Sequence, residues 1–234
     1  MCDETPTLAA FSSVRPSIIE TLDGVAPANN GRARVDSAYR NRFRYSGGGC
    51  TIVQLAVEHA SKSSLADVAR RQLFVPLSLS RTTFQQPLPP SFATNAAHGH
   101  ATDGSPIPGG WRVYPELAAA GVWTTPSDYA RLLLAVRASW SGTPKAVLSQ
   151  SLAKDMRHAG AGNWGLGFGV RADGDDVQIQ HRGSNIGFES VSALWLQRGA
   201  RVVLMTNGER GGQLRRELVR AIFAEYGWTL LSDM

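Results

Sequence analysis

Two short runs hold residue types that could do chemistry. The first is Phe43-Arg44-Tyr45-Ser46-Gly47-Gly48-Gly49, a phenol and a hydroxyl beside three consecutive glycines. Helical periodicity follows from Cys50 to Ala60, so the glycines sit at a helix N-terminus, where unpaired N–H groups and the dipole favour an anion. Nucleotide binding does not follow, because no apolar strand precedes the glycines and no Gly-Lys-Ser/Thr closes them. The second run is His181-Arg182-Gly183-Ser184. It reads as a strand end entering a turn, where an imidazole beside free backbone N–H groups could bind an oxyanion or assist proton transfer. By alternation His181 also shares a face with Val177 and Ile179, which is the pattern of a packed histidine.

Other candidates carry less. The three lysines are Lys62, Lys145 and Lys154, and only Ser151-Leu-Ala-Lys154 gives a serine three residues ahead of a lysine. Its polar surroundings, Ser149 to His158, do not desolvate a lysine and so do not lower its pKa. His98-Gly-His100 offers two imidazoles in a Pro/Gly-rich loop without a third ligand at readable spacing, so the expectation is solvent-exposed histidines and no metal. Ser46 has no G-x-S-x-G elbow around it and reads as structural. Gly165, Gly167 and Gly169 alternate with bulky residues, which predicts a strand with another element packed closely on its glycine face. Trp111 and Tyr114 can line a cleft or anchor their loop on the core.

These residues must be positioned by a chain of 234 residues with 43% apolar and 18% charged residues, a globular composition rather than a disordered one. Two cysteines, Cys2 and Cys50, exclude a disulfide framework and a cysteine zinc site. The net charge of +5 comes from 21 Arg and 3 Lys spread along the chain. Even the densest stretch, Arg32 to Arg44, makes no phosphate-binding stripe, so no nucleic-acid partner is expected. Met1 to Thr7 shows no basic and apolar export signal, and no run of 18 apolar residues follows, so the chain as written reads as cytoplasmic with no membrane segment.

Residues 1–42 read as loop with one short helix near Ile18–Leu22. Ser64-Leu-Ala-Asp67 is a capping box opening a helix that Pro76 ends. Gln85 to Glu116, with six prolines and four glycines, is a long loop of the lid, binding-loop or disordered kind. Thr125-Pro126-Ser127-Asp128 joins an N-cap, a proline at the first helical position and an acidic third residue, with Tyr129, Leu132, Leu133 and Val136 behind them at helical spacing. From Trp164 the period is two, with a turn at Asp173-Gly174, then strands at Phe188–Leu196 and Arg201–Thr206. A last helix carries Leu214, Leu218, Ala221, Ile222 and Glu225. Helices, then an antiparallel sheet, then a closing helix predict an α+β architecture. The expected organisation is a single domain over 1–234, with a mainly helical region over about 43–160 containing the loop 85–116, and the sheet and C-terminal helix over about 163–234.

The ordered series Tyr45-Ser46-Gly47, Leu73-Phe-Val-Pro-Leu77 to Thr83-Phe84, Gly109-Gly-Trp to Trp123-Thr-Thr-Pro-Ser-Asp128, Trp164-Gly-Leu-Gly-Phe168 and His181-Arg-Gly183 resembles the later part of the β-lactamase-like serine hydrolases. That family includes class C β-lactamases, DD-peptidases and related esterases, and the resemblance covers roughly residues 17 to 228. It implies a β-lactamase/transpeptidase-like fold, an antiparallel sheet covered by helices plus a mainly helical region, here N-terminally incomplete. In the family a serine of S-x-x-K is acylated, the tyrosine of Y-x-N joins the lysine in proton transfer, and a K-T-G or H-x-G strand edges the site. Carried over, Tyr45 is the tyrosine, His181 and Gly183 form the strand motif, and the Ser184 N–H is an oxyanion-hole donor. Gly47 stands where many members have asparagine, which favours an esterase-like substrate over a β-lactam.

Ser151 lies on the wrong side of Tyr45 in the chain order to be the nucleophile, and nothing before Ser17 resembles the S-x-x-K segment. The resemblance therefore implies an acyl-ester or amide hydrolase that is inactive as this chain, acting on a small ester, amide or peptide-like molecule, with no metal or organic cofactor. The alternatives are a non-catalytic ligand-binding or regulatory module on the same fold, and a truncated product that folds poorly. An exposed sheet edge would favour self-association.

Overall fold

The computed structural model describes residues 15–35, 43–158 and 160–228. The sequence readings at Met1–Thr7, and the part of the Arg32–Arg44 stretch at 36–42, lie outside the described residues. The helix opened by Thr125 is α6, Pro126–Trp140, and the Thr125 hydroxyl accepts from the Asp128 N–H as an N-cap should. Ahead of it come α1 (Ile18–Asp23), α2 (Gly47–Ser61), α3 (Leu65–Ala69), α4 (Pro90–Ala93) and α5 (Leu117–Ala120), and behind it α7 (Gln150–Met156). Ser17, Ser46, Ser64 and Ser149 each cap the helix that follows, since their short side chains reach an N–H the helix cannot bond itself.

The sheet is an antiparallel meander in the order β1-β2-β3-β4, with β1 Gly169–Asp173, β2 Asp176–Asn185, β3 Phe188–Trp195 and β4 Arg201–Thr206. Helix α8, Gly211–Glu225, closes the chain. Side chains alternate between the faces. Ile179 and Leu194 point to one side and pack with Phe168, Val170, Leu133 and Val136 under α6. Val191, Ala193 and Trp195 point to the other and pack with Val219 and Phe223 of α8. The sheet is thus buried on both faces, and each fully buried Leu or Phe contributes roughly 1.5–3 kcal/mol. No described helix is long and apolar enough to cross a membrane.

Four readings of the sequence are corrected here. Trp164 to Phe168 is not strand; the first strand begins at Gly169, because Gly167 turns the chain at φ +83°. Of the glycines in this stretch, Gly165 does back onto another element, its missing Cβ pointing at the Met156 carbonyl, whereas Gly167 faces open space. His181 does not end its strand, since β2 runs on to Asn185 and the turn is Ile186-Gly187, with Gly187 at φ +82°. In α8 the buried positions are Gly211, Arg215, Val219 and Phe223, while Leu214 and Leu218 are exposed. The whole face is rotated because Trp195 and Trp228 offer Phe223 an aromatic cluster.

The long segment 85–116 is a fastened flap rather than a free lid. Ile107 is buried, and its N–H donates to the Gly99 carbonyl. Glu209 accepts from Thr102, the His100 ring bonds the Asn207 carbonyl, and Asn207 donates to the His98 carbonyl. These bonds pin the flap to the end of β4. His98 is exposed as expected, but His100 is half-buried, and no group of metal-ligating side chains exists among the described residues.

Candidate active site

The first wall of the cleft is built where α2 begins. Ser46 caps α2 through the Gly49 N–H at 3.0 Å, which confirms Ser46 in a structural task and leaves Tyr45 just outside the helix. Tyr45 is 60% exposed. The second wall is the middle of β2, where His181 faces the α6 side, level with Ser192 of β3. The Tyr45 hydroxyl and His181 Nε2 are 3.5 Å apart, the outer limit of a hydrogen bond. Tyr45 and His181, 136 positions apart in sequence, therefore share one cleft.

Gly183 and Ser184 continue β2 along the same cleft, and both line it. A Cβ on Gly183 would lie 2.7 Å from the Ser190 Oγ across the ladder, so a larger residue there would have to displace that hydroxyl. Ser184 pairs with Glu189 and Asn185 with Phe188. The Asn185 side chain donates to the Ala120 carbonyl, tying this end of β2 to the C-terminal end of α5. The expected lining residues Trp111 and Tyr114 reach the cleft too. Trp111 meets His98 and Trp123 edge-on, and Trp123 meets Phe188, so they form an aromatic ladder running down to β3.

Burial decides the protonation states. Partial desolvation and the neighbouring Cys50 push the Tyr45 phenol above its ordinary 10, so it stays protonated at neutral pH. Desolvation lowers the His181 pKa below 6.5; its backbone bond to Arg182 works against this and the Arg182 charge adds to it. A neutral imidazole can accept the phenol proton, and which ring nitrogen carries the hydrogen decides the direction. Behind them Tyr129 is half-buried and bonded to Ser192, whose hydroxyl donates to the His181 carbonyl. That chain fixes the strand under the imidazole.

Ser151 does not join this site. It is exposed on α7, where its hydroxyl lies 3.1 Å from the Ser149 hydroxyl, and neither it nor Lys154 lines the cleft. The cleft itself encloses about 3010 Å³. A fitted small-molecule pocket is roughly 300–1,000 Å³, so this is a wide trench in which a small ligand occupies one end. Two residues that the sequence reading left without a chemical role also belong to the site: Phe43 and Trp164, whose rings stack at 5.4 Å beside Tyr45 and His181. The only signal for them was that both are aromatic and near the motif residues.

The chain matches the family model described as Beta-lactamase over residues 27–226. No curated protein matches it by sequence. Among solved structures, it is similar to SurE, at 23% identity and a TM-score of 0.66, over 80% of this chain and 47% of that one. It is also similar to the penicillin binding protein from Bacillus halodurans, at 17% identity and a TM-score of 0.63, over 88% of this chain and 63% of that one. The D-amino acid amidase from Ochrobactrum anthropi SV3 complexed with L-phenylalanine gives 20% identity and a TM-score of 0.62, over 84% of this chain and 57% of the amidase. These likenesses are of fold. The chain spans 47% to 63% of the length of these proteins.

Proposed function

Because the chain belongs to the Beta-lactamase family, we propose that its cleft is the tyrosine-and-strand side of an acyl-transfer site for esters or amides. The observation that carries this reading is the Tyr45 hydroxyl 3.5 Å from His181 Nε2 on the trench wall that Gly183 and Ser184 extend. In such a site a serine attacks the acyl carbon, and its proton passes to a base that returns it to the leaving oxygen or nitrogen. Tyr45 and neutral His181 are the groups placed to relay that proton. The Ser184 N–H is the donor assigned to the oxyanion. Gly47 lacks the side-chain amide that an asparagine there would offer to substrate, which favours an esterase-like acyl group over a β-lactam. The likeness to a D-amino acid amidase complexed with L-phenylalanine supports small amino-acid derivatives as the substrate class.

The sequence holds one Ser-x-x-Lys, Ser151 to Lys154, and that pair lies on exposed α7 away from the trench. On this reading the cleft formed by the described residues holds no Ser-x-x-Lys serine, which is also what favours the second reading, a non-catalytic acyl-ligand module. Both are tested on the purified chain. Hydrolysis of p-nitrophenyl acetate and nitrocefin should not exceed the uncatalysed rate. Titration with D-phenylalanine amide should move the Ser184 amide and His181 imidazole resonances together. Turnover that Ser151→Ala abolishes would overturn the assignment and make Ser151–Lys154 the active pair. Turnover lost on Ser46→Ala would reveal a different mechanism, and ligand shifts confined to other surfaces would remove the cleft from consideration.

A further inference from the structure

We infer that Trp164 is the positioning residue that holds Tyr45 and His181 against each other, acting as the common ring between three others. The inference rests on the reading of Tyr45 and His181 as a functional pair, and it deepens that reading.

Tyr45 is 60% exposed and precedes its helix, so burial does not fix its ring. His181 stands mid-strand on a rigid ladder. Something must therefore carry the position of the ladder across to the exposed phenol. Trp164 meets Phe43, Tyr45 and His181 with all three ring centroids at 5.4 Å. The contacts differ in kind: Phe43 stacks at 9°, Tyr45 is tilted at 57°, and His181 meets the indole edge-on at 82°. Stacked and edge-on pairs are the favoured aromatic geometries, because the electron-rich face of one ring meets the electron-poor edge of the other. The Phe43 and His181 contacts thus fix ring planes as well as distances, while the tilted Tyr45 contact holds that ring at a distance of 5.4 Å. Tyr45 and His181 touch directly only across 6.2 Å between centroids, with the polar atoms at 3.5 Å. The indole between them is the closer neighbour of both.

Trp164 is itself held by backbone. Its carbonyl accepts from the Gly160 N–H at 2.7 Å, and it bridges Gly169 at the start of β1. The turn before it wraps Phe43. Gly162, at φ +71°, brings its backbone so close that a Cβ there would sit 2.6 Å from the Phe43 Cβ. Phe43 is clamped between Gly162 and Trp164, and two residues later the chain delivers Tyr45. The lead into β1, the arm into α2 and the middle of β2 are thus joined at one indole.

The test is a mutant cycle read on the His181 ring nitrogens by NMR of histidine-labelled full chain, which needs neither turnover nor ligand. In the wild type Tyr45→Phe should shift the His181 Nε2 resonance. In a Trp164→Leu background, which keeps an apolar side chain but no ring, the same change should lose most of its effect. Trp164→Phe should restore it. An undiminished Tyr45→Phe effect in the Trp164→Leu chain overturns the inference. So does the absence, in the wild type, of nuclear Overhauser contacts from the Trp164 indole to both the Tyr45 and His181 rings, a measurement that stands even if Trp164→Leu fails to fold. If Tyr45→Phe leaves His181 unmoved in the wild type, the pair itself is wrong and the inference falls with it. If the pair is coupled through Trp164 but acyl ligands do not bind, only the functional reading fails.

Discussion

Replacing Asp128 by alanine removes a carboxylate that fastens the start of α6 to the segment at Arg81 and Thr82. Asp128 is 1% exposed. One oxygen accepts from the Arg81 N–H at 2.8 Å and from the Thr82 hydroxyl at 3.0 Å, and the other meets Arg131 at 2.8 Å. Thr82 also pairs with Thr124, and Thr83 bridges Trp123, so the network holds the strand-like pairing that carries Trp123 into the aromatic ladder. A hydrogen bond to a charged group is worth about 1.5–3 kcal/mol. The Arg81 N–H loses its partner outright, but the Thr82 hydroxyl can turn to Thr124 and recover part of its loss. The Arg131 side chain is 56% exposed, so its share is at most about 1 kcal/mol. The carboxylate also carried a desolvation cost that alanine removes. The net expectation is a loss of about 3 kcal/mol. At about 2–4 °C per kcal/mol for a chain of this size, Tm should fall by roughly 6–12 °C. Differential scanning calorimetry, with urea unfolding as a check that the midpoint moves while the slope does not, measures it. Arg131→Ala should cost less than a third as much. An Asp128→Ala loss below about 1 kcal/mol, or an equal loss for Arg131→Ala, would refute the reasoning that the Arg81 N–H and Thr82 hydroxyl bonds, and not the ion pair, carry the stability.

Two further perturbations test the same logic elsewhere. His181, neutral by burial, binds its proton less readily when folded, so the unfolded chain takes up the proton first as pH falls through 6.5. Stability should therefore decline with acidification below that point, and His181→Gln should flatten the decline in urea midpoints measured from pH 7.5 to 5; an unchanged slope would deny the desolvation. Gly165→Ala drives a Cβ against the Met156 carbonyl and should cost about 1–3 kcal/mol, whereas Gly167→Ala meets no atom but is held at φ +83° and should cost about 1–2 kcal/mol through backbone strain alone. A chain with Gly165→Ala as stable as wild type by thermal melting would show that the approach of Met156 is not tight.

What the sequence determined by itself is what short-range physics writes locally. The cap at Thr125 with Pro126 and Asp128 behind it marks the start of α6, because the cap bond and the proline geometry both act within one turn. Strands β3 and β4 were legible because strands covered on both faces read as short, near-continuous runs of apolar and β-branched residues, Val191 to Trp195 and Val202 to Met205. The ordered motif series marked Tyr45, His181, Gly183 and Ser184, and the structure places all four along one cleft. Tertiary structure decided the rest. The buried stripe of α8 falls on Val219 and Phe223 and leaves Leu214 and Leu218 in water, because a helix with apolar residues on neighbouring stripes takes its rotation from the aromatic cluster it meets. Strand β2 outruns the glycine that reads as its end, since Gly183 is there to pass the Ser190 hydroxyl rather than to turn the chain. The Asp128 carboxylate, read as a helix-start residue, is also the acceptor for a backbone N–H 47 positions away. Trp164 reads as one bulky residue of an alternating run, and becomes the hub of Phe43, Tyr45 and His181 only when three distant segments converge on it. The physical reason is the same each time: caps and periodicity are set by bonds within a turn or a strand, whereas the partners of a buried side chain are chosen by which distant surfaces the fold brings within a few ångströms.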